Sequence, residues 1–195
     1  TLTCRKIIEE THDVKTFILT SSTQQPISYL AGQHLPITID FNGKPVNAVY
    51  TLSSSPTRPH YLSLTVKRVP DGKVSNFLHD HFKQGDTLQA KTPSGDFHLG
   101  ATNSEKLLLL SAGSGITPML SMLKYLTDHA ISNDVVFFHS ARSEQDLIAH
   151  DEVNALAKEH GNCKVSYTLT RQCKPSWQDY QGHISEQMLA NIPEL

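Results

Sequence analysis

The stretch Lys106-Leu107-Leu108-Leu109-Leu110-Ser111-Ala112-Gly113-Ser114-Gly115-Ile116-Thr117-Pro118 divides the chain into two kinds of text. Its apolar run is continuous rather than alternating, the pattern of a parallel strand covered on both faces. A glycine turn follows, then a segment with helical spacing from Thr117 to Thr127. Strand, glycine turn and helix in that order make the first unit of a doubly wound sheet. The unit repeats downstream, with Asp134 to His139 and Cys163 to Thr170 as strands and Ala149 to His160 and Ile184 to Ile192 as helices. The turn also has a chemical use. Gly113 and Gly115 let backbone N–H groups approach a phosphate, and the helix N-terminus favours its negative charge. Pro118, in the first turn, gives up no donor that the helix needs. A plain tight turn would use the same residues, because Pro118 stands where the third glycine of a G-x-G-x-x-G fingerprint would be.

Upstream the texture is different. Thr16 to Leu19, Leu35 to Ile39, Val46 to Leu52, Leu62 to Val69 and Thr87 to Ala90 run in near alternation, separated by Gly32, Asn42-Gly43, Pro70-Asp71-Gly72, Gly85 and Gly95. Such spacing reads as an antiparallel barrel or sandwich. Val74, Phe77, Leu78 and Phe82 recur at helical spacing and predict one short helix opening near Lys73. Ala101-Thr102-Asn103-Ser104 is polar and aperiodic, so the expected units are residues 1–100 and 106–195.

Two barrel segments carry possible chemistry. Tyr50-Thr51-Leu52-Ser53-Ser54-Ser55-Pro56 ends a strand with one aromatic ring and a row of hydroxyls. A planar ligand can stack on Tyr50 while Thr51 and Ser53 bond its polar edge; a strand leaving into a Ser/Pro turn would read the same. Gly72-Lys73-Val74-Ser75 opens the short helix, either as a second anion site with Lys73 beside it or as an ordinary cap made by Ser75 or a neighbour.

Composition narrows the classes. The 195 residues suit two compact units, and 17 Lys plus Arg against 19 Asp plus Glu give a net charge of −2. That balance is too even for a nucleic-acid binder, and no apolar stretch approaches the ~20 residues of a membrane span. Cys4, Cys163 and Cys173 form no Cys-x-x-Cys pair and read as bland thiols of a cytoplasmic protein, with no metal site. Eleven histidines do not change this, because His79 and His81 lie at i, i+2 on a helix and point to different faces as solvated side chains. Gly113-Ser114-Gly115 is not a nucleophile elbow, so hydrolase chemistry has no support. A chain that opens on Thr1 and ends on Leu195 within a helical pattern reads as a fragment.

Taken in order, three segments resemble the signatures of the ferredoxin–NADP reductase superfamily. Tyr50-Thr51-Leu52-Ser53 is similar to its Arg-x-Tyr-Ser/Thr flavin motif, Gly72-Lys73-Val74-Ser75 to its Gly-x-x-Ser pyrophosphate turn, and Gly113 to Pro118 to its Gly-x-Gly-x-Thr-Pro nicotinamide motif. Ala31-Gly32-Gln33, Gly85-Asp86 and Pro93-Ser94-Gly95-Asp96-Phe97 also sit as they do there. Within the superfamily the text looks most similar to bacterial NADH oxidoreductases that reduce the hybrid-cluster protein, in which a ferredoxin domain follows. The implied fold is β plus α/β: an antiparallel flavin-binding β-barrel, then a truncated doubly wound nucleotide-binding domain. The implied cofactors are FAD and NADH, with NADPH possible. The implied activity passes hydride from NADH to FAD and then single electrons to an iron–sulfur or similar acceptor protein.

The resemblance also assigns roles. Tyr50 stacks on the isoalloxazine, Thr51 or Ser53 faces its N5 with Leu52 between them, and the backbone of Thr65, Val66 and Lys67 reads the pyrimidine edge. Gly72, Lys73, Val74 and Ser75 hold the FAD diphosphate. Gly113, Ser114 and Gly115, with Pro118, hold the NADH pyrophosphate, and Thr117 sits where the two rings meet, which makes Tyr50, Thr51, Ser53 and Thr117 the catalytic set. Ser140 and Arg142 read the adenosine ribose, and an Arg142 without a second cation nearby favours NADH over NADPH. Two departures stand out. Ala48 occupies the place of the family's phosphate-binding arginine, which leaves Lys67, Arg68 or Lys73 to compensate. The family's Cys-Gly-Pro strand, expected beside the Lys106 to Leu110 strand, would come after Ile192, so a chain stopping at Leu195 is expected to expose that edge, associate and turn over NADH poorly. These departures motivate the alternative of a flavin-lacking binding or regulatory module on the same fold.

Overall fold

The computed structural model describes residues 1–23, 25–171 and 173–192. Six strands form the first sheet: β1 (Leu2–Thr11), β2 (Val14–Ser21), β3 (His34–Phe41), β4 (Lys44–Thr51), β5 (Leu62–Lys67) and β6 (Thr87–Ala90). They pair antiparallel in the order β4-β3-β6-β1-β2-β5, and a bridge between Leu52 and Leu64 brings the outer strands together into a barrel. Inward positions alternate with outward ones as a half-buried sheet requires, and Phe17, Leu19, Leu35, Ile37, Leu62 and Leu64 fill the interior. The strand that alternation does not reveal is β1. Arg5, Lys6, Glu9 and Glu10 interrupt its pattern, and register shifts between Cys4 and Lys6 and between Glu9 and Thr11 break the period of two.

Helix α1 (Lys73–Asp80) lies where it was expected and seats Val74 and Leu78 in the barrel core, with Phe82 buried just beyond its end. His79 corrects one expectation. It is buried, and its Nε2–H donates to the Val66 carbonyl at 2.8 Å, whereas His81 is exposed as anticipated. Residues two apart on a helix lie on different faces, so His79 turns to the sheet while His81 does not, and the buried ring nitrogen finds a backbone acceptor there.

The second sheet is parallel, in the order β10-β9-β8-β7. It contains β7 (Lys106–Ala112), β8 (Asp134–Ala141), β9 (Cys163–Leu169) and the two-residue β10 (Tyr180–Gln181), which no run in the sequence announces. Helices α2 (Ile116–Asp128) and α3 (His150–His160) cover one face over Phe137, while α4 (Glu186–Ala190) covers the other over Phe138. From Val135 to Ala141 every residue of β8 is buried, as expected of a strand enclosed on both sides. Among the described residues β7 pairs only with β8. Residues 193–195 of the expected second unit lie outside the described residues. None of these helices is long and apolar enough to cross a membrane.

Candidate functional site

The carboxyl ends of β7, β8 and β9 open toward the β1–β2 turn and the end of β5. Between them is a crevice of about 190 Å³ lined by Asp13, Lys67, Gly113, Ser140, Arg142 and Thr170, among others. Ligands of open α/β sheets lie at such strand ends. Gly113 to Gly115 form a short 3₁₀ turn that runs straight into α2, with no side-chain cap. A Cβ at Gly113 or Gly115 would meet no protein atom within 4 Å, and Gly115 has an ordinary φ of −64°. Nothing in the protein's own packing at Gly115 requires glycine, so the bare backbone keeps the approach to the helix N-terminus open. Thr117 is buried, and its hydroxyl donates back to the Ser114 carbonyl at 3.2 Å, leaving its lone pairs free to accept.

At the far end of the crevice Arg142 Nη2 donates to Asp13 Oδ2 at 3.0 Å and to Asp146 Oδ1 at 2.5 Å. Lys67 Nζ lies 3.5 Å from Asp13 Oδ2. A second cation therefore does stand close to Arg142, contrary to expectation, because the end of β5 reaches the same carboxylate. Burial works to raise the pKa of Asp13, but the Thr11 hydroxyl, Lys67, His12 and Arg142 outweigh it and hold the carboxyl below its usual range. Asp146 is lowered in the same way, by Ser143, Arg142 and His12 against its burial. His12, Asp13 and Asp146 could together reach one metal ion, but Arg142 already bridges the two carboxylates.

On the barrel, Tyr50 is half-buried on the same face of β4 as Val46 and Ala48, and burial pushes its phenol pKa up. Val49, on the opposite face, is 58% exposed. The N-terminus of α1 has no side-chain cap, and among the described residues no acceptor takes the N–H groups of Lys73, Val74 and Ser75. Ser75 does not cap the helix: its hydroxyl accepts from the Val69 N–H and donates to the Gly72 carbonyl, both at 3.3 Å. A Cβ on Gly72 would collide with that same oxygen. Of the three cations offered in place of an arginine at residue 48, Lys67 is engaged by Asp13 and Arg68 by Asp80, at 3.0 and 2.5 Å. Lys73 is the exposed one with no ion pair among the described residues. An aromatic ring, three unmet N–H donors and a free ammonium suit a planar group carrying a diphosphate.

The two candidate hydroxyls of this motif differ. Ser53 is 1% exposed, and its Oγ lies 2.9 Å from Ser63 Oγ and 2.8 Å from Thr65 Oγ1, which continues to Thr16 and Glu10. Ser53 is thus spent inside the protein, Leu52 is core, and among the described residues the Thr51 hydroxyl has no hydrogen-bond partner. The Val66 carbonyl, expected to face a ligand, is taken by His79.

Sequence reasoning missed the residues that join the two sheets. Ser121 Oγ donates to the Ser54 carbonyl at 2.6 Å, and Lys124 Nζ donates to the Ser53 carbonyl at 3.1 Å while pairing with Glu152 at 3.0 Å. Arg58 grips Asp128 at the end of α2 with a two-pronged contact of 3.0 and 2.6 Å. The one sign in the sequence is a lysine set in the apolar stripe of α2 beside Leu120 and Leu123.

Comparison with known proteins assigns both sheets to known domain families. Residues 1–99 match the oxidoreductase FAD-binding domain and residues 109–195 the oxidoreductase NAD-binding domain. The chain is 40% identical over 192 residues to the glycine betaine monooxygenase reductase subunit of Pseudomonas aeruginosa, covering 97% of this chain and 52% of that protein. It is 35% identical over 168 residues to a flavohemoprotein of Bacillus cereus, covering 82% of this chain and 42% of the other. Its fold superposes with a TM-score of 0.86, at 24% identity, on the FAD/NAD-binding domain of nitric oxide dioxygenase from Vibrio cholerae, covering 95% of this chain and 79% of that one. The chain spans about half the length of the sequence relatives it matches.

Proposed function

The chain belongs to the oxidoreductases that join an FAD-binding to an NAD-binding domain, the ferredoxin–NADP reductase family, and from that premise we propose that it oxidises NADH on a bound FAD and passes the electrons singly to an iron–sulfur or similar acceptor protein. The observation that carries this reading is a pair of bare helix N-termini, at Gly72 to Ser75 and at Gly113 to Gly115, in one molecule. FAD, when bound, supplies the hydride acceptance and the one-electron release. The protein binds and orients. Tyr50 offers a face to stack on, Thr51 a hydroxyl with no partner among the described residues, Thr65 to Lys67 backbone at a sheet edge apart from the committed Val66 carbonyl, and Gly72 to Ser75 with Lys73 the diphosphate site. Gly113 to Gly115 receive the nucleotide pyrophosphate, Thr117 and Pro118 shape the start of α2, and Ser140 and Arg142 stand at the ribose. The balanced charges around Arg142 support NADH as the preferred nucleotide. The proposed units are residues 1–100 and 106–195. Three free cysteines support a cytoplasmic location.

The direct test is colour and reduction. Purified protein should absorb at ~450 nm as flavoproteins do, bleach on anaerobic addition of NADH, and catalyse NADH-dependent ferricyanide reduction. A colourless protein that cannot be reconstituted with FAD would favour instead the flavin-lacking module that Ala48 suggests.

A further inference from the structure

We propose that Asp13, which reaches from the barrel into the nucleotide crevice, is the residue that selects NADH against NADPH. The inference rests on reading that crevice as the dinucleotide site. Asp13 lies in the tight turn between β1 and β2, where its carbonyl accepts from the Arg68 N–H at 2.7 Å and its Oδ1 accepts from the Thr11 hydroxyl at 3.0 Å. Both ends of the residue are thus held, and the second carboxylate oxygen is aimed at the opposite sheet. There it meets Arg142 at 3.0 Å and Lys67 at 3.5 Å.

These are the two cations of the crevice that a ribose 2′-phosphate would need. A phosphate brings close to two negative charges and binds best where guanidinium or ammonium groups are unpaired. Here Asp13 and Asp146 balance Arg142 and Lys67 one for one, and both carboxylates are held in the charged form. A 2′-phosphate beside Ser140 would have to displace Asp13 from Arg142 or sit against it. A ribose 2′-hydroxyl, by contrast, can donate to a carboxylate, the arrangement by which NAD sites read that group. The discriminating carboxylate comes from the barrel, and the arginine from the nucleotide-binding sheet. Preference between the two nucleotides therefore depends on how the two sheets are held together.

Titration calorimetry with adenosine 5′-monophosphate and adenosine 2′,5′-bisphosphate tests this on the whole chain without turnover. The wild type should bind the monophosphate more tightly. Asp13→Asn should shift the ratio of the two affinities toward the bisphosphate by at least about tenfold, the scale of one removed charge contact in a partly buried site. The NADPH-to-NADH ratio of kcat/KM should shift alongside it. Asp13→Glu should keep the wild-type preference, and so should Asp80→Asn, which neutralises a carboxylate outside the crevice. An unchanged ratio in an Asp13→Asn protein that still melts cooperatively and binds the monophosphate overturns the assignment. If that variant does not fold, Asp13→Ser carries the same expectation, and an unchanged ratio there is equally fatal. Failure of the monophosphate to bind the wild type overturns the reading of the crevice itself, and the assignment with it.

Discussion

Gly115 and His139 show how differently single residues carry information. A Cβ at Gly115 would point into open space, so Gly115→Val should cost at most about 1 kcal/mol of stability, as a poorer helix cap. It should raise the Kd for NADH by roughly tenfold or more, because it fills space that the ligand needs. Stopped-flow flavin reduction at varied NADH, with thermal melts alongside, separates the two effects. Reduction at wild-type affinity would place the nucleotide elsewhere. That site is legible in sequence because a glycine turn and a helix start involve a few neighbouring residues. Nothing in the sequence marks His139. It is fully buried on β8 with Nδ1 2.8 Å from the Ser111 hydroxyl, its Nε2 has no partner among the described residues, and desolvation pushes its pKa down to about 4. The folded protein keeps this imidazole neutral where the unfolded chain, titrating near 6.5, takes a proton. Its contribution is therefore complete above pH 6.5 and is lost as pH falls toward 4, by about 3 kcal/mol in all. Denaturant unfolding at pH 7 and pH 4.5 should show a clearly smaller loss in His139→Gln than in the wild type.

Among the elements, α1 and β1 mark the range of legibility. Helix α1 was readable because Val74, Phe77 and Leu78 repeat every three to four residues. Strand β1 was not, since its bulges and charges remove the alternation by which strands are recognised. What α1 presents to a ligand also depends on neighbours. Lys67 and Arg68 are neutralised by Asp13 and Asp80, which leaves Lys73 and three N–H groups to hold a diphosphate without an arginine at residue 48. Ala48→Arg should then tighten FAD by one charge-assisted hydrogen bond, about 1.5 to 3 kcal/mol before desolvation. Lys73→Met should weaken it, by about 1 kcal/mol for an exposed cation at a helix terminus. Fluorescence titration of apoprotein with FAD measures both. Unchanged affinity in both variants would remove the diphosphate from α1.

At the scale of the whole molecule, α2 does two jobs: its start bears the glycine turn, and Ser121 and Lys124 further along are fastened to the carbonyls of Ser54 and Ser53, where the flavin motif leaves its strand. The two candidate cofactor sites are therefore joined through one helix. Lys124→Met removes the donor to a buried carbonyl and should destabilise the chain by about 1 to 3 kcal/mol. It should also slow flavin reduction at saturating NADH more than it weakens NADH binding, whereas a variant that only destabilises would change neither in the surviving folded fraction. By itself the sequence determined the antiparallel sheet, the parallel sheet and the three backbone motifs, because periodicity and glycine placement act between near neighbours along the chain. Only the tertiary structure decided that Ser53 is consumed within the protein, that Lys124 bolts the helix to the barrel, and that Asp13 faces Arg142 across 129 residues of sequence. Charge and hydrogen-bond partnership fall off within a few ångström, and which side chains come that close is settled by how the two sheets pack.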